Sequence, residues 1–457
     1  MVTAKKTLRY FYWLTTAFLQ KNFRMIAVSF VVSLLFIIAL VSIAPYLSNL
    51  LLNKRSVIGL VGDYSSNRLP EEISNKISSG LIYVNSNGEI IPALASSWEK
   101  SDDGLVYRVH LKKNLFWNTG RPFTANDVTF SFKDVETRVL DDYLIEFHLQ
   151  KPLAIFPTYL TQPITRYPLD GVAGLYRVSH YKEKSGRLQE VYLTANQSNY
   201  NDIYYRFYDN DTQLINAYKL GDIRSFTTSK KNVVDIFSGW KNTTIKKTVD
   251  YGLLLTLFFN LHNPFLEDKD NRQAISEAIN RTALGGFGTP ATSSIPPLSW
   301  AYNPGLKRTV YDPEMAINIL KKTESTESAK LNFVTFYEYL DQANLISQNI
   351  NEAGVPTNLI LSSFNANPSF DLLLAYFKVH YDPDQYYYWH STQTIDNKGG
   401  NITGYNNQKI DKLLEDGRST LVQSERKTIY FNLQKVMADD PPAIFLYYPF
   451  VYTVERK

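Results

Sequence analysis

Residues 92–132 decide the fold of this chain, and they read PALASSWEKSDDGLVYRVHLKKNLFWNTGRPFTANDVTFSF. Pro92 to Trp98 is predicted to be an exposed helical turn that ends in a large aromatic side chain. The next stretch alternates apolar and other residues with the period of a β-strand, and Gly-containing turns bound it on both sides. Its apolar face carries Leu105, Tyr107, Val109 and Leu111.

The end of this stretch predicts a helix. Thr124-Ala125-Asn126-Asp127 matches the capping-box pattern, in which a threonine and an acidic residue three positions later satisfy the first amide groups of a helix. We expect that helix to carry Val128, Phe130 and Phe132. The expected order is therefore a helical turn, a β-hairpin and a capped helix.

This order of elements, together with individual residues, resembles the signature of the family-5 extracellular solute-binding proteins. These are the oligopeptide, dipeptide and nickel receptors of ABC importers. Thr119 departs from the pattern, because the family has Asp at that place. The matching residues are Pro92, Leu94, Ala95, Ser97, Trp98, Asp103, Gly104, Trp117, Gly120, Thr124, Ala125, Asp127, Val128 and Ser131.

The composition predicts a folded chain of more than one domain. Its 457 residues exceed the usual length of one domain, and a hydrophobic content of 44% supplies a core. The five basic residues within residues 1–24 account for more than the net charge of +4, so the remaining residues sum to −1. A near-neutral body lacks the basic patch of a nucleic-acid reader. The absence of cysteine excludes disulfides, thiol catalysis and a lipid-modified cysteine.

The N-terminal region predicts a membrane anchor. Residues 1–24 form a basic segment that we expect in the cytoplasm, and Met25–Ala44 are long and apolar enough to cross a bilayer. The alternative is a cleaved signal peptide, whose apolar region is usually shorter, about 7–15 residues. The nearest small-residue site, Ser42-Ile43-Ala44, is followed by Pro45, which disfavours cleavage. We therefore predict a single-pass protein of the cell membrane with its C-terminal domain on the extracytoplasmic face.

The rest of the chain predicts an α/β fold. A strand, a helix and a strand follow one another over residues 331–361, which indicates a parallel βαβ unit. The family resemblance implies a two-lobed fold like that of periplasmic binding proteins (type II, cluster C-like), with a reduced auxiliary subdomain. The expected parts are a first lobe at 56–250, a second lobe at 251–436 and a return strand at 437–457. Crossings between the lobes are expected near Thr248–Gly252 and Met437–Phe445.

The sequence contains no recognisable catalytic motif. Its six histidines have no metal-binding spacing, and Gly285-Gly286-Phe287-Gly288 follows a helix rather than standing between a strand and a helix. We therefore expect a protein that is not an enzyme and that needs no metal or other cofactor.

The candidate ligand site lies at the end of the strand Phe370–Val379. In the family, the end of the corresponding strand lines the ligand cleft, and an Asp there binds the free amine of a peptide. One alignment places Val379 at that Asp, and another places His380 there, so neither supplies an acid. We expect seven residues to contribute to ligand binding: Asn260, Ala375, Tyr376, Phe377, Val379, Tyr386 and Trp389.

The resemblance implies a membrane-anchored substrate-binding protein of an ABC importer that captures peptides, or a similar small ligand, by hinge closure. Its expected partners are the ligand, the ABC permease subunits and the membrane, with no nucleic acid. The alternative is a membrane-tethered sensory or scaffold domain derived from such a receptor. The absence of an acid at Val379 and the shortened first lobe both fit that alternative.

Overall fold

The computed structural model describes residues 2–52, 55–85, 88–322, 330–363, 366 and 369–457. Helix α1 (Val2–Leu52) contains the apolar segment, and the stretch Tyr12–Ile43 is long and apolar enough to cross a membrane. None of that stretch is buried against the rest of the chain. The sequence Asn85-Ser86-Asn87-Gly88 is typical of a hairpin loop, and its residues Ser86 and Asn87 lie outside the described residues.

Most of the described strands belong to one mixed sheet of twelve strands. Ten of them follow the order β10-β11-β12-β1-β13-β20-β15-β19-β17-β18, and β14 and β16 each pair with β20. Their bounds are β1 (Arg55–Val61), β10 (Tyr176–Lys184), β11 (Arg187–Ala195), β12 (Asp202–Tyr208), β13 (Ser225–Thr228), β14 (Thr243–Val249), β15 (Leu253–Phe259), β16 (Gly288–Pro290), β17 (Leu331–Phe336), β18 (Thr357–Ser362), β19 (Leu372–Lys378) and β20 (Ala443–Arg456).

The first lobe is built on strands β10 to β13 and on a separate four-stranded sheet of order β4-β5-β7-β6. Two small β-pairs, β2-β3 and β8-β9, complete it. Its remaining elements are α2 (Glu71–Ile77), β2 (Ile82–Val84), β3 (Ile90–Pro92), β4 (Ala95–Lys100), β5 (Val106–Leu111), β6 (Val135–Asp141), β7 (Leu144–Leu149), α3 (Phe156–Tyr159), β8 (Thr165–Arg166), β9 (Asp170–Gly171), α4 (Asp211–Leu220) and α5 (Lys231–Asp235).

The second lobe surrounds β15, whose two faces are both covered. Leu255, Leu257 and Phe259 belong to one hydrophobic cluster and Leu254 and Phe258 to another, as expected for a strand that is apolar except for the buried Thr256. The predicted βαβ unit is present, because β17 and β18 pair in parallel. The helices of this lobe are α6 (Pro264–Glu267), α7 (Lys269–Ala278), α8 (Pro313–Lys322), α9 (Leu340–Glu352), α10 (Tyr386–Trp389), α11 (Gln408–Ser419) and α12 (Gln423–Asp439).

The expected helical turn at Pro92–Trp98 is wrong. Strand β3 ends at Pro92, and β4 begins three residues later and pairs with β5. Trp98 lies opposite Val109, and a register shift between Ala95 and Ser97 keeps Ala95 in the core. The alternation on β5 is confirmed, since Tyr107, Val109 and Leu111 are buried.

The expected helix after Thr124 is also wrong, although its capping box forms. Thr124 and Asp127 make both capping interactions, yet they close only a single 3-10 turn, Ala125–Asp127. Val128, Phe130 and Phe132 are spaced two apart, which is the period of an extended chain rather than of a helix. All three pack on the core beneath the four-stranded sheet.

Strand β20 joins the two lobes. It pairs with β15 as far as Tyr447, and with β14 from Phe450 onward. Tyr448 and Pro449 still pair with β16, so the second crossing between the lobes lies at 449–450, later than the expected Met437–Phe445, because β20 first completes its pairing with β15 and β16. The first crossing lies between β14 and β15, at 250–252.

Candidate functional site

The site begins where β19 ends. This strand lies between β15 and β17, and after Lys378 the amide of Val379 donates to the carbonyl oxygen of Gly252 at 2.9 Å. The chain then turns through 380–385 and enters α10. Gly252 belongs to the first crossing between the lobes, so the strand end lies beside the connection on which the lobes would move.

A buried ion pair holds the turn that follows the strand. Arg426 on α12 donates from Nη1 to Asp382 Oδ2 at 2.9 Å and from Nη2 to Asp382 Oδ1 at 2.7 Å. The same guanidinium donates from Nε to the carbonyl oxygen of Gly417 at 2.8 Å. Asp382 also accepts from the amide of Asp384 at 3.0 Å. Its carboxylate is therefore committed to the turn and to Arg426, and no sequence motif indicated Arg426 as its partner.

A second ion pair lies next to the first. Arg418 Nε lies 3.1 Å from Asp384 Oδ2, and its guanidinium lies 4.3 Å from the centre of the Tyr386 ring. Burial raises the pKa of the Asp384 carboxyl, and the charge of Arg418 opposes that rise. Tyr386 stacks on His390 at 4.1 Å. It is half-buried.

Phe377 and Trp389 form the core behind the turn. Their rings stack at 5.7 Å with an interplanar angle of 12°. They are 2% and 1% exposed, and Trp389 Nε1 donates to Gln385 Oε1 at 2.9 Å. In this structure they support the strand end from behind rather than presenting a surface to a ligand.

Tyr376 and Ala375 are half-buried on opposite faces of β19. Tyr376 makes an edge contact with Tyr339 at 5.0 Å and packs on the second-lobe core, and burial raises the pKa of its phenol. Ala375 packs in the cluster that contains Phe377 and Trp389. Both residues belong to β19 itself, and Tyr376 and Ala375 lie three and four residues before Val379, respectively.

Asn260 lies at the other end of the strand pair. Strands β15 and β19 are antiparallel, so Asn260 follows the residue that faces Leu372, whereas Leu253 faces Lys378. Asn260 Nδ2 donates to the carbonyl oxygen of Phe370 at 3.0 Å. About eight residues of strand, on the order of 26 Å, separate it from Val379. The structure thus groups Ala375, Phe377, Val379, Tyr386 and Trp389, places Tyr376 beside them, and separates Asn260.

Two neighbouring cavities meet at the turn. A small one of about 10 Å³, room for about one water, is lined by Val379, His380 and residues around Ser294. A larger one of about 180 Å³ lies between the lobes. Its walls are Trp98, Lys100 and Tyr107 of the first lobe and Trp300, Asp382 and Arg426 of the second. Asp382 contributes to both cavities.

The electrostatics of the strand end involve residues from both lobes. Burial lowers the pKa of His380, the charge of Lys378 lowers it further, and Glu71 of the first lobe opposes the shift. Burial also raises the pKa of Tyr107 to about 12, opposed by Arg426 across the cavity. Glu71 stands in the first turn of α2 and is exposed. Glu71 and Asp382 are the two carboxylates whose charge opposes the lowering of the His380 pKa, and no sequence motif indicated Glu71.

One larger cavity lies elsewhere. It measures about 370 Å³ and is enclosed by α7, the end of α12 and the segment 307–312 of the second lobe. None of the seven predicted site residues lines it. Among the described residues, no group of three or more histidine and carboxylate side chains is placed to hold a metal ion.

A family model of known proteins matches residues 89–398, which is more than half of the chain. Its description is "Bacterial extracellular solute-binding proteins, family 5 Middle". The chain belongs to this family. The resemblance drawn from residues 92–132 is therefore confirmed, and the family is one of solute-binding proteins rather than of enzymes.

Individual relatives agree with the family. The oligopeptide-binding protein AppA of Bacillus subtilis is 23% identical, over 86% of this chain and 86% of its own length. The crystal structure of AppA with a nonapeptide has a TM-score of 0.72 at 21% identity and covers 88% of this chain and 94% of that one. The structure of NikZ from Campylobacter jejuni with Ni(L-His) has a TM-score of 0.74 at 22% identity, with the same coverage. At these identities the structural likeness shows the periplasmic-binding-protein fold and no more.

Proposed function

We propose that this chain is the membrane-anchored substrate-binding protein of an ABC importer and that it captures peptides between its two lobes by hinge closure. The carrying observation is the cavity of about 180 Å³, because its walls come from both lobes and it adjoins the end of β19. In this proposal the two lobes of the protein are residues 56–250 and 251–436. Residues 437–457 form the return strand, whose first half still pairs within the second lobe.

Direct contacts between the lobes support closure. The amide of Ala154 donates to the carbonyl oxygen of Arg418 at 2.7 Å, and Arg418 Nη2 donates to the Tyr159 hydroxyl at 3.5 Å. Leu421 lies against Gly104, so closely that a Cβ on the glycine would approach it to 2.9 Å. These contacts close one side of the cavity, and they would have to break for a ligand to enter by hinge motion.

Peptides are the proposed ligand class for a physical reason. A peptide backbone can be bound by strand edges, while its side chains occupy less specific pockets. Among the described residues, strand β19 pairs with β17 only at Leu372 and Leu373, so the later part of β19 offers an edge on that side. Tyr376, Tyr386 and Trp300 supply aromatic surface around it. That AppA of B. subtilis was crystallised with a nonapeptide supports the same class.

The charge of the ligand's amine restricts which peptides the site could bind. A free α-amino group is cationic at pH 7, and burying it without a partner costs several kcal/mol. Val379 cannot balance that charge, Asp382 is engaged by Arg426, and His380 is neutral. We therefore propose that the ligand is blocked at its amine, is neutral, or keeps its amine in water.

The anchor is the second part of the proposal. Helix α1 contains the apolar segment, five basic residues precede that segment, and none of its described side chains along Tyr12–Ile43 is buried. Positive residues favour the cytoplasmic side, which places the two lobes outside the cell membrane. Intact-mass measurement of the membrane fraction tests this, since a mature chain that begins near Pro45 would show a cleaved signal peptide instead.

Native mass spectrometry of the purified chain tests the ligand class. We expect masses of bound peptide that disappear on partial unfolding and return as a 1:1 complex when peptide is added back. A chain that carries no ligand and binds none from a mixed peptide pool would refute the transport function.

A further inference from the structure

One end of the first lobe brings basic and apolar side chains together around the point where α1 joins the domain. Strand β1 begins at Arg55, and only residues 53 and 54 separate it from Leu52. Arg55 faces Asp202, the first residue of the parallel strand β12. The amide of Arg224 donates to the carbonyl oxygen of Val57 at 2.8 Å, so the start of β13 lies at the same end.

The last residues of β20 and α4 extend this end. Arg456 faces Thr243, the first residue of β14, and its guanidinium donates to the carbonyl oxygens of Tyr218 and Lys219 at the end of α4. Leu220 follows, and it is 79% exposed. The described residues therefore leave most of this apolar side chain uncovered. Lys241 stands two residues before Thr243 and is also exposed.

The loop between β11 and β12 adds further apolar surface. The amide of Asn196 donates to the carbonyl oxygen of Leu175, and the rings of Tyr176 and Tyr200 meet edge to face at 6.2 Å. Leu175 and Tyr200 are 44% and 40% exposed. We call this end of the lobe the anchor face. It consists of Arg55, Leu175, Tyr200, Lys219, Leu220, Arg224, Lys241 and Arg456.

Three acidic residues lie at the same end, and two of them are engaged. Asp202 accepts from the Tyr192 hydroxyl at 2.6 Å and from the amide of Ala195 at 3.0 Å. Asp222 lies 4.0 Å from Arg206. Glu455 is exposed. The anchor face therefore keeps an excess of positive charge beside its exposed apolar side chains, and this combination suits the headgroup region of a bilayer.

We propose that the anchor face docks on the surface of an anionic phospholipid bilayer. The proposal rests on retention of the anchor. If the apolar segment ends at Ala44, eight helical residues lead to Leu52 and a few more residues lead to Arg55. Together they extend about 20 Å, which is the largest possible distance between Arg55 and the bilayer core. A tether this short holds the anchor face close to the headgroups, where the lysine and arginine side chains meet lipid phosphates and Leu220 inserts.

Docking in this orientation directs the second lobe away from the membrane. Strand β20 runs from the second lobe to the anchor face, and its 14 residues span about 45 Å. The lipid surface would thus fix the first lobe while the second lobe remains free to open and close over a ligand. The chemical class of the partner is an anionic phospholipid surface rather than a protein.

The absence of cysteine from the chain makes a clean test possible. Leu220→Cys and, as a matched control, Leu298→Cys are labelled with an environment-sensitive fluorophore in the full chain. Leu298 is 72% exposed and lies in the second lobe between the core residues Ile295 and Ala301. Both proteins are placed in nanodiscs of phosphatidylglycerol and, separately, of phosphatidylcholine, with headgroup spin-labelled lipid as quencher.

We expect a blue-shifted emission and quenching at position 220 in phosphatidylglycerol, a smaller effect in phosphatidylcholine, and neither at position 298. Lys219→Glu/Arg224→Glu/Lys241→Glu should abolish the difference between the two lipids, and Lys307→Glu/Arg308→Glu should leave it unchanged. If the chain is intact and anchored but the probe at position 220 is as exposed to water as the probe at position 298, the docking proposal is wrong and the anchor proposal is unaffected. A chain cleaved near Pro45 would overturn the anchor, and docking would then also fail unless the cleaved form floats with phosphatidylglycerol vesicles.

Discussion

Arg426 and Asp382 join the turn after β19 to helix α12 through two parallel hydrogen bonds, of 2.9 and 2.7 Å. Both side chains are about nine-tenths buried. This pair fixes the loop that forms one wall of the cavity between the lobes. It also removes Asp382 from the groups that could bind a ligand's amine.

Loss of this ion pair should destabilise the protein. Arg426→Ala leaves a buried carboxylate without its partner, and we expect the free energy of unfolding to fall by about 3 kcal/mol. Arg426→Lys should not restore it, because lysine cannot form the bidentate pair. Urea denaturation measures both. Lys412→Ala, which breaks an exposed pair with Asp416 at 2.7 Å, is the control and should change stability by less than about 1 kcal/mol. Equal effects of Arg426→Ala and Lys412→Ala would show that the buried pair has no special role.

The stacked pair behind the turn should behave as core. Trp389→Ala removes a side chain that is 1% exposed, and we expect the free energy of unfolding to fall by about 3–5 kcal/mol. Tyr387→Ala, two residues earlier and 51% exposed, should have little effect. Thermal unfolding without ligand distinguishes the two. If Trp389→Ala unfolds normally and only loses ligand, then Trp389 contacts the ligand directly.

An acid introduced at the strand end should change the ligand preference. Val379→Asp places a carboxylate where the family resemblance has one, so peptides with a free amine should bind more tightly relative to N-acetylated peptides. Calorimetry with matched peptide pairs measures the ratio. Leu361→Asp is the control, because Leu361 is 52% exposed in the same lobe and lines none of the three cavities described above. A ratio that both variants change equally would reflect net charge alone.

His380 should make the stability of the protein depend on pH. Its pKa in the folded protein lies below the ordinary value of 6.5, chiefly because of burial. The unfolded chain therefore takes up the proton first as the pH falls. This contribution to stability is complete above about pH 6.5 and is lost as the pH falls through the lowered pKa. Unfolding measured at pH 8, 6.5 and 5 should show that loss, and His380→Gln should reduce it. A loss of the same size in the variant would assign the effect to other groups.

The sequence predicted the fold where one strong signal was enough. The apolar run 251–261 favours a strand covered on both faces, and β15 is such a strand. The alternation on 105–111 predicts one buried face, as β5 shows. At 124–132 the capping box predicts a helix, and that prediction is wrong. Phe130 and Phe132 are spaced two residues apart, which is the period of an extended chain. The prediction at 92–98 failed because a short strand with a register shift has no regular period.

The candidate site was only partly predictable for the same reason. The grouping of Ala375, Phe377 and Val379 could be predicted from their positions along β19. Asn260 has a family match in sequence, yet the antiparallel pairing places it at the far end of the strands. Arg426 and Arg418 contribute through ion pairs with Asp382 and Asp384 that span 44 and 34 residues of chain, and a single sequence gives no signal for such pairs.

Calorimetric titration of the full chain with paired free and N-acetylated tetrapeptides tests the central claim most directly. We expect 1:1 binding, with the acetylated member of each pair binding at least as tightly as the free one. Absence of binding by either member would contradict the assignment as a peptide receptor. A free peptide that binds about a hundredfold tighter, roughly 2.7 kcal/mol, would contradict the proposal for the amine. Loss of that preference in Glu71→Gln would then identify the acid responsible.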